Sequence, residues 1–467
     1  MSRRPVYMRN KSGSSWLLLL LLLIVVGIIY GYRNSLSLQY LVDNSELNGR
    51  SFRGIVEEIS ADKTGIKAYF MKDDTTPLIA LSFVFKNAGY AYEQKDGVAM
   101  LVASMVKEGT RNINADNLRN EMRLKGIKLS FSVDKDDFGG LLVVPSQYLQ
   151  DAVKLLREIL LYPKFERKYL DIAKAQTIKS LEVEKEDPNQ ELKLEFDRLV
   201  YGTHPYGKNP LGNIEVIKGI TQGDLREFIK STLFTDNLYV GIVGNLDKDS
   251  AKKVLDTIFA GIDKNAKNKE IEAVDINWQQ PVLEIKRDEG QNITAFVFEG
   301  TCRTCEDFYP LYIANYLFGG AGLNSKLNQQ IREKEGLTYG GYSALVLQDK
   351  ANLIVSGFSA TANKYAKAEE IFKQEWQKIR NNGFNVDELK KAKDYLIASY
   401  NLRFASTAGI AGMLVYMQRN NLGLDFLEKR NHYVESVTVE QLNDVAKKYF
   451  VEQRLQAVIG SFDKEKK

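Results

Sequence analysis

Two hydrophobic periods alternate along this chain. Ile127, Leu129, Phe131 and Val133 alternate with polar neighbours, the period-two pattern of a half-buried strand, and Gly139 to Val144 supplies a second apolar run that can return beside it. After Pro145, Ser146 is placed to cap a helix whose apolar face is Leu149, Ala152, Val153, Leu156, Ile159 and Leu160. Much later, Asn385 and Asp387 open another helix with Leu389, Ala392, Leu396 and Ile397 on one side. Strands and helices intermixed in this way predict an α+β fold of packed sheet and helix layers.

The pattern occurs twice. Ile220-Thr221, Leu225, Lys230, Leu238 and Ile242 match Val437-Thr438, Leu442, Lys447, Leu455 and Ile459 without a gap. Phe165, Leu170, Ala173, Lys174 and Ile178 match Phe384, Leu389, Ala392, Lys393 and Ile397 at nearly the same offset. Two blocks at one spacing predict two similar domains in tandem. We place them at residues 61–262 and 281–467, joined by a lysine- and asparagine-rich linker over 263–280.

Residues 12–32 carry no charge, and Trp16 to Ile29 is almost wholly Leu, Ile and Val, long enough to cross a hydrocarbon core. Arg3, Arg4, Arg9 and Lys11 precede the run and Arg33 alone follows closely, which places the N-terminus in the cytoplasm. The expectation is a stub and single-pass anchor over 1–34, a polar linker over 35–60, and the remainder across the membrane. No small-x-small cleavage site of the usual kind ends the run.

Composition changes this picture little. Lysine and arginine total 64 against 60 acids, with no basic block interleaved with aromatics, so nucleic acid is not an expected partner. The two cysteines, Cys302 and Cys305, lack the second pair that a zinc site would use. They remain open to a small disulfide loop, a redox couple or no chemistry.

Metal-activated peptide hydrolysis needs a zinc ion on three protein ligands and a carboxylate base. In an inverted motif, His-x-x-Glu-His, both imidazoles and the base share one helix. Asn87-Ala88-Gly89, Gly97-Val98-Ala99, Glu108-Gly109-Thr110, Glu186-Asp187-Pro188 and His204-Pro205-Tyr206-Gly207 together resemble the frame around that motif in the insulinase and pitrilysin (M16) metallopeptidases. Laid on this frame, the first ligand falls on Met100, the base on Ala103, the second ligand on Ser104 and the third near Ser180. None of these side chains replaces the residue required. Glu182, two positions from Ser180, would point away around the helix. The only histidines are His204 and His432, and His204 reads as a hydrogen-bonded loop residue.

The second half keeps its signature. Gly319-Gly320-Ala321-Gly322-Leu323-Asn324-Ser325-Lys326-Leu327, followed by Ile331-Arg332-Glu333-Lys334-Glu335-Gly336-Leu337-Thr338-Tyr339, resembles the family's C-terminal glycine-rich turn and Arg/Tyr pair. No Gly-Lys-Ser or Gly-Lys-Thr follows the glycines, so they are not a phosphate loop. The resemblance implies that Arg332 and Tyr339 contact substrate and stabilise the transition state, with Gly319, Gly320 and Gly322 in a substrate loop. It further implies no metal or cofactor on this chain, zinc on a partner M16-type chain with an intact motif, and a peptide substrate. The expected location is the inner membrane, with residues 12–32 in the bilayer and the bulk in the periplasm. The alternative is a non-enzymatic, membrane-anchored scaffold or peptide-binding protein of the same fold. A redox protein built on Cys302 and Cys305 is a third reading.

Overall fold

The computed structural model describes residues 55–265, 270–288 and 290–461. The first half runs β1 (Glu57–Ser60), β2 (Lys67–Lys72), β3 (Leu78–Lys86), α1 (Val98–Met105), α2 (Ala115–Leu124), β4 (Lys128–Val133), β5 (Asp137–Pro145), α3 (Leu149–Leu161), α4 (Arg167–Glu186), α5 (Pro188–Tyr201), α6 (Ile214–Gly219), α7 (Gln222–Thr232), β6 (Leu238–Gly244) and α8 (Lys248–Phe259). The second runs β7 (Leu283–Lys286), β8 (Gln291–Glu299), α9 (Phe308–Asn315), β9 (Thr338–Leu347), β10 (Asn352–Thr361), α10 (Ala362–Asn382), α11 (Val386–Tyr400), α12 (Thr407–Arg419), α13 (Phe426–Glu435), α14 (Val439–Tyr449) and β11 (Leu455–Gly460).

The repeat in sequence is a repeat in topology. The first sheet is ordered β1-β2-β6-β3-β5-β4 and the second β7-β11-β8-β10-β9. Without β1 the two orders correspond strand for strand, each with one parallel pair, β2 with β6 and β7 with β11. The matched blocks are matched elements. Thr221 and Thr438 each close a capping box on α7 and α14, satisfying the free N–H groups of the first turn, and each helix leads into the last strand of its sheet.

One face of each sheet is covered by its own helices. α1, α3, α7 and α8 build a core on the first sheet, and α10, α11 and α14 build another on the second. The remaining faces are covered reciprocally. α5, from the first half, lies on β11, β8 and β7, where Leu192, Phe196 and Val200 meet Ala295, Val297 and Leu455. α12, from the second half, lies on β6 and β3 with Ile410, Ala411, Leu414 and Val415 buried. Pro188 and Thr407, where these helices begin, are separated by the repeat's own offset. Gly241 on β6 permits this contact, since a Cβ there would lie 2.5 Å from the Ala411 carbonyl oxygen. Gln418 of α12 then accepts from the Val240 N–H at 2.8 Å.

A buried ion-pair junction fixes the arrangement. Arg419, at the end of α12, is bidentate to Asp137 at the start of β5 (2.7 and 3.0 Å) and to Asp349 in the β9–β10 turn (both 2.9 Å). Beside it Tyr206 donates to Asp136, whose other oxygen accepts from the Asp349 N–H at 3.2 Å. The β4–β5 and β9–β10 turns therefore meet across one guanidinium.

Two expectations are corrected, one alternative left open is decided, and one lies outside the described residues. β1 lies within the stretch read as linker. Its single buried side chain, Ile59, and its pairing with β2 make it an edge strand too short to leave a periodic signature. Ser146 does not cap α3: a 3₁₀ turn, Ser146–Tyr148, intervenes, and its buried hydroxyl has no partner among the described residues. Cys302 and Cys305 form a disulfide. The anchor expected at 12–32 lies outside the described residues, among which no helix is long and apolar enough to cross a membrane.

Because each half completes the other, residues 55–461 are predicted to unfold in urea as one transition by circular dichroism and tryptophan fluorescence. A fragment ending at residue 262, deprived of α12, is predicted to show no cooperative transition. Arg419→Ala leaves Asp137 buried without its cation, while Asp349 keeps Lys86 at 3.4 Å, and should lower unfolding free energy by about 3–5 kcal/mol.

Candidate functional site

α1 carries the vacated positions. Its inner face, Val98, Ala99, Leu101, Val102 and Met105, is buried in the first core, which leaves Met100, Ala103 and Ser104 on the outer side. Ser104 turns its hydroxyl back to the Leu101 carbonyl at 2.9 Å. Ser180 is exposed on α4, which packs against α1. A thioether, a methyl group and two hydroxyls are not a zinc ligand set, and no group of three or more His, Cys, Asp or Glu side chains suited to a metal occurs among the described residues. His204 is a loop residue as expected, its Nδ1 accepting from the Tyr206 N–H at 3.2 Å and its Nε2 3.0 Å from the Glu272 carbonyl.

The helix retains its mounting although its ligands are gone. Glu93, 7% exposed, accepts from the N–H groups of Gly97 at 2.7 Å and Ala99 at 2.8 Å, tying down the amino end of α1. Burial pushes its carboxyl up to about 8, against those two donors. The sequence offered no cue to this acid, which stands outside the helix it anchors.

Between the halves lies a cavity of about 1260 Å³. α5 contributes Leu192, Phe196 and Tyr201, α12 contributes Val415 and Tyr416, and Met100 faces in from α1. Of the four vacated positions only Met100 reaches it. Lys135, in the β4–β5 turn, also lines it, with Nζ 3.3 Å from Asp197, 2.5 Å from the Tyr206 carbonyl and over the Tyr201 ring at 4.6 Å. Burial lowers the pKa of this lysine, although the Asp197 charge resists the shift.

Arg332 and Tyr339 stand together outside the cavity. Arg332 lies on a widened helical turn, Gln329–Lys334, and Tyr339 near the start of β9, the exposed edge of the second sheet. Nη1 of Arg332 donates to the Tyr339 carbonyl at 2.6 Å. That bond fixes the arginine against the strand without neutralising it, and Arg332 makes no ion pair among the described residues. The Tyr339 side chain is 81% exposed and its hydroxyl has no partner among them. The next residues along β9, Gly340 and Tyr342, do line the cavity.

The glycine-rich lead-in divides into different roles. A Cβ on Gly319 would lie 2.6 Å from the Cβ of Ser343, so this glycine serves packing against β9. Gly320 meets nothing closer than 3.4 Å, and Gly322, at φ +58°, turns the chain in open space. The residue that ties the loop to the strand is Asn328, 2% exposed. Its amide donates to the Gly322 and Gly341 carbonyls, both at 2.8 Å, and its oxygen accepts from the Gly341 N–H at 2.6 Å. Nothing in the local pattern marked it, because one asparagine in a polar turn reads as a surface residue.

Comparison with known proteins agrees with this geometry. The model of the insulinase family (peptidase family M16) matches residues 70–212, and that of the peptidase M16 inactive domain matches 219–396. A Helicobacter pylori protein named non-peptidase homolog YmxG is 21% identical over 84% of this chain and 90% of its own length. A Bacillus subtilis protein named uncharacterized zinc protease YmxG is 20% identical over 85% and 97%. Among solved structures, a peptidase M16 inactive domain from Pseudomonas fluorescens superposes with a TM-score of 0.81 at 25% identity, covering 87% of this chain and 98% of that one.

Two outcomes are expected. Glu93 has its folded value above the unfolded value of 4.5, so its contribution to stability is complete below about pH 4.5 and is lost as the pH rises toward 8. The loss is at most about 1.4 kcal/mol per pH unit, and Glu93→Gln should flatten that slope in urea titrations run across the range. Asn328→Ala, which strands several buried backbone groups, should cost about 2–4 kcal/mol and raise hydrogen exchange at Gly341.

The two matched family models, with two sheets of corresponding strand order beneath them, establish that this chain belongs to the M16 insulinase-type peptidase family, as a member that lacks the His-x-x-Glu-His motif.

Proposed function

We propose that this protein is the zinc-free subunit of a heteromeric M16-type peptidase. One observation carries the reading: every metal-ligand position on α1 and α4 is vacated, yet Arg332, exposed and without an ion pair among the described residues, and the free Tyr339 hydroxyl stand together beside the edge strand β9. A surface on which only the metal chemistry has been lost suits a chain that works beside one that retains it. The partner, an M16-type chain with an intact His-x-x-Glu-His motif, supplies zinc and the base. This chain contributes donors and β9, along which an extended peptide can add as a further strand.

The chemistry of the two groups fits that role. A guanidinium presents a rigid fork of donors to peptide carbonyls, and a phenol hydroxyl donates to the oxyanion of a tetrahedral intermediate. Neither requires the ion to lie on its own polypeptide. The charge asymmetry around residues 12–32 supports an inner-membrane anchor with a cytoplasmic N-terminus and the catalytic partnership in the periplasm. A second reading, a peptide-holding scaffold without catalysis, draws support from the H. pylori relative named a non-peptidase homolog.

The readings separate in a reconstituted pair. With the partner present, Tyr339→Phe should lower peptide cleavage by about 10²-fold, the usual effect of removing one oxyanion donor, while the melting temperature stays unchanged. Undiminished cleavage would remove Tyr339 from the mechanism. A pair that binds peptide and never cleaves it would leave the scaffold.

A further inference from the structure

Three arginines in the second half, none of them in an ion pair among the described residues, act on one ring, that of Tyr400. Arg303 comes from the disulfide-closed turn before α9, Arg403 from the 3₁₀ turn Asn401–Phe404, and Arg430 from α13. The Arg430 guanidinium carbon lies 4.1 Å from the centroid of the Tyr400 ring, and that of Arg403 lies 5.9 Å from it. Arg303 stacks on Phe308 at 4.1 Å and donates to the hydroxyls of Tyr416 at 3.0 Å and Tyr309 at 3.3 Å. All three charges act on Tyr400.

Arg430 is 5% exposed. Its Nη1 donates to the Leu396 carbonyl at 2.9 Å and to Asn431 Oδ1 at 3.0 Å, whereas Nε and Nη2 make no hydrogen bond among the described residues. Burial acts against its charge, more than Tyr312, Tyr400 and Tyr309 together offset, and Arg403 adds a smaller repulsion. Two acids on neighbouring elements are engaged elsewhere, Asp307 with Lys448 and Tyr449 and Asp425 with Lys429. The contrast with Arg419, which holds two carboxylates, is direct. A buried guanidinium with donors that bond nothing among the described residues, and with Arg403 beside it, lacks a counter-ion.

We propose that Arg403 and Arg430, with Arg303 beside them, bind an oxyanion, a carboxylate or phosphate group held by forked guanidinium hydrogen bonds. Such forks match the paired oxygens of either group, and the tyrosine hydroxyls can add donors at the rim. Tyr416, which receives Arg303, also lines the inter-half cavity, so the site adjoins its wall. The Cys302–Cys305 disulfide closes the turn that presents Arg303.

The test uses the full chain in detergent. Inorganic phosphate, and one short peptide with either a free or an amidated C-terminus, are titrated by calorimetry, and melting is followed against sodium chloride of equal ionic strength. One oxyanion is expected to bind one to one and to raise the melting temperature beyond the chloride control. Arg403→Gln, at an exposed position, should weaken that binding at least tenfold without changing the melting temperature of the unliganded chain. Phosphate binding identifies a phosphate group as the ligand, and preference for the free over the amidated peptide identifies a terminal carboxylate. Binding of none of these, or equal binding by Arg403→Gln and Arg303→Gln, overturns the proposal.

Discussion

Each sheet of this chain has one face that only the other half covers, and the remaining architecture follows from that exchange. α5 and α12 bury apolar stripes on strands they do not adjoin in sequence. Hydrophobic contact of this kind is strong but has no direction, so it holds the halves together without setting their registration. Registration comes from Arg419, whose fork reaches both hairpin turns at once, and from Gly241, which lets one helix backbone close on one strand. A buried ion pair is weak evidence of net stability, yet the loss of its cation is costly, which makes the junction specific.

That rigid frame gives the vacated site its meaning. α1 is still packed on its inner face and still capped by Glu93, so losing the ligands required no rearrangement of the helix. Of the four positions, Met100, Ser104 and Ser180 lie outside the first core and Ala103 packs only against its rim. In the second half the opposite holds. Asn328 and Gly319 fasten the lead-in loop to β9, and the fastening leaves Arg332 and Tyr339 facing outward. The relatives bear names that disagree, one a non-peptidase homolog and another a zinc protease.

Much of the fold was legible in the sequence, for identifiable reasons. Period-two and helical patterns located β4, β5, α3 and α11, and the paired capping boxes at Thr221 and Thr438 made the duplication visible as matching letters. The reciprocal covering was not legible. Leu192, Phe196 and Val200 announce that α5 has a buried face, but periodicity cannot say which sheet covers it. Of the site, the vacancy and the Arg/Tyr pair came from resemblance to a family frame. Their supports, Glu93, Asn328 and Arg419, are polar residues whose partners lie in other segments, and no local pattern could mark them.

The central claim is that this polypeptide does not hold the electrophilic ion. Metal content and chelator-sensitive hydrolysis, measured together on the isolated, monomeric chain, test it most directly. The account predicts zinc well below one ion per chain and no peptide hydrolysis that a chelator abolishes. Stoichiometric zinc together with chelator-sensitive hydrolysis by the chain alone would contradict it.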